Sequence, residues 1–147
     1  MKIFFTIPGE PKGKQRPRTG VTRDGRRVMY TPAETSNYEN YVKLMYKLHC
    51  QDQKLSGALH ANITGVFAVP ASESRKKKEQ MLQGKIRHTK KIDCDNLAKI
   101  VLDALNGLAY DDDKQVCELE VRKIYGETPM VAVSIWEVVP GADQQED

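Results

Sequence analysis

Apolar positions alternate in four short runs of the chain and recur at helical spacing in two longer ones, with breaks at proline, glycine or charged segments. Lys2–Pro8 (KIFFTIP) reads as a strand closed by Pro8-Gly9. A glycine-, proline- and arginine-rich loop follows to Tyr30, and its Arg23-Asp24-Gly25-Arg26 centre suits a hairpin tip, because Asp-Gly accepts the positive φ angles of a tight turn. Thr31-Pro32 opens a helix, threonine as cap and proline at the first position, with Tyr38, Tyr41, Val42, Met45 and Leu48 as its inward stripe. Leu59–Val69 alternates as a second strand, stopped by Pro70, and Ser72 is placed to cap a short basic helix, SESRKKKEQMLQ. Residues 95–107 carry the clearest helical pattern, Leu97, Ile100, Val101, Ala104, Leu105 and Leu108. Two further strands, Gln115–Tyr125 and Met130–Val138, are joined by Gly126-Glu127-Thr128-Pro129 and read as an antiparallel hairpin. The order β-α-β-α-α-β-β predicts an α+β fold: one two-layer domain over 1–140, its mixed β-sheet packed by helices, then a polar C-terminal tail, 141–147.

With 147 residues, 39% hydrophobic and 29% charged, the chain can bury a core, and no apolar run reaches the length of a membrane span. The N-terminus lacks the pattern of a signal peptide, so the expected location is cytoplasmic. Cys50, Cys94 and Cys117 form no CxxC pair and are expected to be reduced, mostly packed thiols; His49, His60 and His88 form no metal-binding pattern. The net charge of +3 conceals segregation. Residues 1–31 and 71–92 each carry eight Lys/Arg against two acids, and most of the acids lie from Asp93 onward. Basic patches beside an acidic centre suit a polyanion held around a metal site; either run alone reads first as a solvated face, and it is the two together, flanking carboxylates, that bring the polyanion reading level with it.

The acidic centre begins in KKIDCDNLAKIVLDALNG, Lys90 to Gly107. Projected at 100° per residue, Asp95, Lys99 and Asp103 fall on the face opposite the apolar stripe. If the preceding segment is extended, Asp93 and Asp95 point the same way and Cys94 points away. Asp111–Asp113 follows the helix and is expected to fold back near its start. Converging carboxylates need a cation, and an oxygen-only set favours Mg²⁺, with Mn²⁺ as a possible substitute. Such a site suits phosphodiester hydrolysis, with Lys99 on the phosphate or the nucleophile. The plainer alternatives remain open. Asp93 or Asp95 can be a helix cap, Lys99 can pair with Asp95, and Asp111–Asp113 can be a solvated turn.

The run DCDNLAKIVLDALNGLAYDDDKQV resembles the signature of the RusA family of Holliday-junction resolvases: a D-x-D-N-L-x-K helix, then a D-D-x-Q-V entrance to a strand. The upstream PKGKQRPR…YTPAETSNYE segment is similar to the N-terminal part of RusA-like proteins of phages and prophages. The resemblance implies a homodimeric, Mg²⁺-dependent endonuclease that resolves four-way junction DNA by paired symmetric nicks in recombination and repair. It implies that Asp93, Asp95 and Asp113 are catalytic metal ligands, Lys99 the catalytic lysine and Asp112 a supporting acid. Departures are the extra acid Asp111 and the Arg75-Lys76-Lys77-Lys78 insert. Lys12, Lys14, Arg16 and Arg18, with Arg75, Lys76, Lys77 and Lys78, are the expected DNA contacts. The rival readings are a metal-dependent nuclease acting on other branched DNA and a non-catalytic DNA-binding protein.

Overall fold

A computed structural model of the chain describes residues 1–140, so the expected polar tail at 141–147 lies outside the described residues. The elements run β1 (Lys2–Pro8), β2 (Arg18–Val21), β3 (Arg27–Tyr30), α1 (Ala33–Cys50), β4 (Leu59–Ala68), α2 (Arg75–Leu82), α3 (Cys94–Ala104), a 3-10 turn (Asp113–Gln115), β5 (Val116–Gly126) and β6 (Met130–Glu137). The fold is α+β with a mixed sheet, as the residue pattern predicts. The hairpin expected at Arg23–Arg26 is present as β2–β3, a separate two-stranded ribbon.

The main sheet has the order β1-β6-β4-β5, with β4–β5 parallel and the other two pairings antiparallel. The expected β5–β6 hairpin is therefore absent, because β4 lies between the two strands. Their alternation explains the order. Val131, Val133 and Ile135 of β6 are buried, and so are Leu59, Ala61, Ile63 and Phe67 of β4. β5 instead presents Glu118, Glu120 and Arg122 on one side and exposed Cys117 and Leu119 on the other. A strand so charged suits an edge, where charge also discourages pairing with other chains.

The inner sheet face is covered by α1 and α3. The buried line of α1 is Thr35, Tyr38, Val42, Tyr46 and Cys50; Leu48, expected in it, is exposed. The expected Thr31 cap is also not formed. Pro32 takes the cap position, and the Thr35 hydroxyl accepts the Gln15 N–H at 3.2 Å. In α2 the cap is Ser74, which accepts from Lys77 N–H at 3.3 Å, rather than Ser72. Of the cysteines, which form no disulfide, Cys50 is buried and Cys117 is exposed.

The stripe of α3 packs as its spacing predicts, with Leu97, Ile100, Val101, Ala104 and Leu105 fully buried. Gly65 of β4 lets it sit close, since a Cβ there would stand 2.8 Å from Leu97 Cδ2. Leu97→Ala leaves a cavity at this contact and is expected to cost about 2–5 kcal/mol, read as a fall in the urea-unfolding midpoint at unchanged slope. No helix among the described residues is long and apolar enough to cross a membrane.

Candidate functional site

α3 starts where Asp93 takes the cap position in extended conformation (φ −77°, ψ 159°). A capping aspartate normally accepts a hydrogen bond from the first free N–H groups of its helix. Asp93 does not, and its Oδ1 accepts instead from Asn96 Nδ2 at 2.6 Å. It borders an open groove formed with Thr89, Lys90, Lys91, Ile92, Asn96 and Lys123. Asp95 and Lys99 are exposed on the outer face of α3. The ion pairs nearby are Lys14–Glu39, Lys14–Asp103 and Lys54–Asp111, so the alternative Asp95–Lys99 pair is not made among the described residues.

The three aspartates after α3 differ in use. Asp111 is exposed and pairs with Lys54 at 2.7 Å. Asp112 caps the 3-10 turn, accepting from Lys114 N–H at 2.9 Å, while Gln115 Oε1 accepts the N–H groups of Asp111 and Asp112 at 3.0 Å each. The bond from Lys114 N–H holds the Asp112 carboxyl below its ordinary pKa. Asp113 is half-buried, its N–H donating to Asn106 Oδ1 at 2.8 Å and its carboxyl close to those of Asp112 and Asp103. Burial first, then these two neighbours, push the Asp113 carboxyl above its ordinary pKa.

Asp113 therefore sits beside Asp103, at the C-terminal end of α3, and the expected fold-back to the start of the helix is not made. Eight residues separate Asp95 from Asp103, about 12 Å along the axis at 1.5 Å per residue. Among the described residues, no group of three or more His, Cys, Asp or Glu side chains is placed to hold a metal ion. The donors fit Mg²⁺ in kind, being carboxylate oxygens, but one chain does not close them around an ion. Asp103 belongs to this acidic set and was visible in the sequence only through sharing a helix face with Asp95 and Lys99.

The basic residues also divide. Lys14 is tied down between Glu39 (3.2 Å) and Asp103 (3.3 Å), and its N–H donates to Asn96 O at 3.1 Å. Gly13 makes that passage possible: a Cβ would stand 2.8 Å from Ile92 Cγ2. Lys12 pairs loosely with Glu34, and Arg16 and Arg18 are exposed. On α2, Arg75, Lys76 and Lys77 are exposed and Lys78 is half-buried. Two further cations, Lys90 and Lys123, border the groove at Asp93, with Lys123 Nζ donating to Lys90 O at 2.7 Å. They were not selected from the sequence, because only the parallel β4–β5 pairing brings β5 beside the segment before α3. His88 stacks on Phe67 at 3.8 Å. Its pKa is lowered by burial and then by the nearby charges of Lys123 and Lys90.

A sequence model of the family described as endodeoxyribonuclease RusA matches residues 8–136, a span that contains all these acids and bases. The chain is also 41% identical over 138 residues to a Bacillus subtilis (strain 168) protein named "Uncharacterized protein YqaN", covering 92% of this chain and 96% of that one.

Proposed function

The chain belongs to the endodeoxyribonuclease RusA family, and from that premise we propose that it is a Mg²⁺-dependent endonuclease resolving four-way DNA junctions by paired symmetric nicks. The observation that carries this reading is the Asp93 carboxylate, which stands at a helix cap without capping, next to exposed Asp95, with Lys99 one turn beyond Asp95 and without a carboxylate partner among the described residues. Asp93, Asp95 and Asp113 would hold the ion, and Mn²⁺ would serve in its place. When bound, the ion supplies an activated water and offsets charge on the leaving oxygen. Lys99 meets the scissile phosphate. Lys12, Arg16 and Arg18, with Arg75, Lys76 and Lys77, hold the flanking phosphates, and Lys14 braces the N-terminal loop against α3.

Two nicks related by a two-fold axis call for an isologous homodimer. The dimer answers a second need. A two-fold axis perpendicular to α3 sets its partner's α3 antiparallel, so the Asp93–Asp95 end of one helix meets the Asp113 end of the other. On this reading each site takes Asp93 and Asp95 from one protomer and Asp113 from its partner.

Incubation with a mobile four-way junction and with linear duplex, in Mg²⁺ or in EDTA, tests the function. Paired symmetric nicks in the junction alone, abolished by EDTA, are expected. Irregular cutting of other branched DNA would replace the reading with a broader nuclease, and binding without cutting with a DNA-binding protein. The basic residues give a separate expectation. Arg16→Ala with Arg18→Ala should weaken junction binding and flatten the dependence of log affinity on log salt by about 0.9 per lost phosphate contact. The same titration on Lys76→Ala with Lys77→Ala tells a DNA arm from a solvated helix face: an unchanged slope leaves α2 outside the interface.

A further inference from the structure

The β2–β3 ribbon is built unlike the rest of the chain. Among the described residues its strands pair only with each other, Arg18 opposite Tyr30, Thr19 opposite Met29, Gly20 opposite Val28 and Val21 opposite Arg27, and no helix or other strand packs closely on them. Isolated two-stranded ribbons are marginal in water and need a surface to lie on. This one nevertheless leaves Val21 (72%), Met29 (69%), Tyr30 (48%) and Val28 (42%) exposed.

Opposed residues share a face, so one side of the ribbon carries Val21 and Met29 and the other carries Val28 and Tyr30. A ribbon meant to lie on a flat partner needs one apolar face. Apolar groups on both faces suit an element surrounded on both sides. The charge around it names the partner. Arg16, Arg18, Arg23, Arg26 and Arg27 lie on or beside the ribbon, against the single acid Asp24. That acid is already held by Arg26 Nε at 3.0 Å and by the Thr22 hydroxyl. The tip itself is closed by Thr22 N–H to Arg26 O at 2.9 Å and Gly25 N–H to Thr22 O at 3.0 Å, which fixes the turn but gives the strands no surface to lie on.

We propose that the β2–β3 ribbon inserts among unstacked bases at the branch point of the DNA, its two apolar faces against base faces and its arginines on the flanking phosphates. Intact duplex offers a groove floor of polar base edges, whereas an opened branch point offers the apolar faces of bases themselves. Apolar wedges between base steps are a known means of holding DNA in a distorted form. The ribbon thus becomes the element that distinguishes a junction from its arms. This rests on the nuclease reading only in taking branched DNA as the ligand.

The test uses the full chain in EDTA, so that binding is read without cutting, and a four-way junction carrying 2-aminopurine at the branch point. Anisotropy reports binding in the same titration. The wild-type protein should raise 2-aminopurine fluorescence as bases unstack. Tyr30→Ala and Met29→Ala should abolish that rise and weaken junction binding about tenfold, with affinity for linear duplex unchanged. Tyr30→Trp should keep the rise, and Leu48→Ala, an exposed apolar residue elsewhere, should change nothing. Junction binding without a rise, or a rise that survives both alanine variants, overturns the proposal while leaving the nuclease reading intact. So does a variant that changes sedimentation instead of fluorescence, which would make the ribbon a contact between copies of the chain. A protein that binds no DNA overturns both.

Discussion

Asp93→Asn, Asp95→Asn and Asp113→Asn are each expected to bind a four-way junction at least as tightly as wild type and to nick it more than about a thousandfold more slowly, a loss of several kcal/mol of transition-state stabilisation. Binding survives because removing a carboxylate lessens repulsion of phosphates, while the same change removes an oxygen donor. Asp113→Asn has a further expected outcome. Its carboxyl is crowded by Asp103 and Asp112, with its pKa raised, so an amide there should leave thermal stability unchanged or higher. That result excludes misfolding as the cause of lost cutting. Mixing then tests how the site is shared. If each site takes Asp95 from one protomer and Asp113 from its partner, exchanging Asp95→Asn with Asp113→Asn protein gives heterodimers with one intact site. About a quarter of wild-type sites return on statistical exchange, all as single nicks. If the exchanged mixture stays silent although heterodimers form, the site is built within one chain.

The sequence was most informative where periodicity and burial coincide. The stripe Leu97, Ile100, Val101, Ala104 and Leu105 located α3 to within a few residues, because one helix on one sheet face requires that spacing. The alternation of β4 and β6 was equally plain. Which strand lies beside which was not. A three-residue link between β5 and β6 is long enough for a hairpin, yet also long enough to pass the end of β4. The polar alternation of β5 was the overlooked signal that it belongs at an edge. The acids show the same limit. The face shared by Asp95, Lys99 and Asp103 follows from helical geometry, but the direction of the chain after Gly107 decides which end of α3 Asp113 meets. Asn106, whose Oδ1 receives the Asp113 N–H, holds it at the far end. Lys90 and Lys123, 33 residues apart, meet only through the crossover that makes β4 and β5 parallel.

Lys99 is expected to separate rate from affinity more sharply than any other basic residue of the chain. It is exposed on α3 one turn from Asp95, and no carboxylate among the described residues pairs with it. A helical Asp–Lys pair at this spacing would contribute only about 0.2–0.5 kcal/mol, so even its formation could not explain a large effect on catalysis. A cation left free beside the acids, by contrast, acts most strongly where charge grows. The phosphate becomes more negative as the nucleophile adds, and a fixed ammonium group stabilises that state more than bound substrate. Lys99→Ala should therefore lower the single-turnover rate on saturating junction on the order of a hundredfold, with the dissociation constant changed little. Lys99→Arg should recover only part of the rate, since a guanidinium keeps the charge but places its donors as a planar fork. Arg16→Ala with Arg18→Ala should show the reverse, weak binding and a nearly normal rate once the junction is saturated. Equal losses in rate and affinity at Lys99 would make it one more phosphate anchor and leave the chemistry to the carboxylates alone.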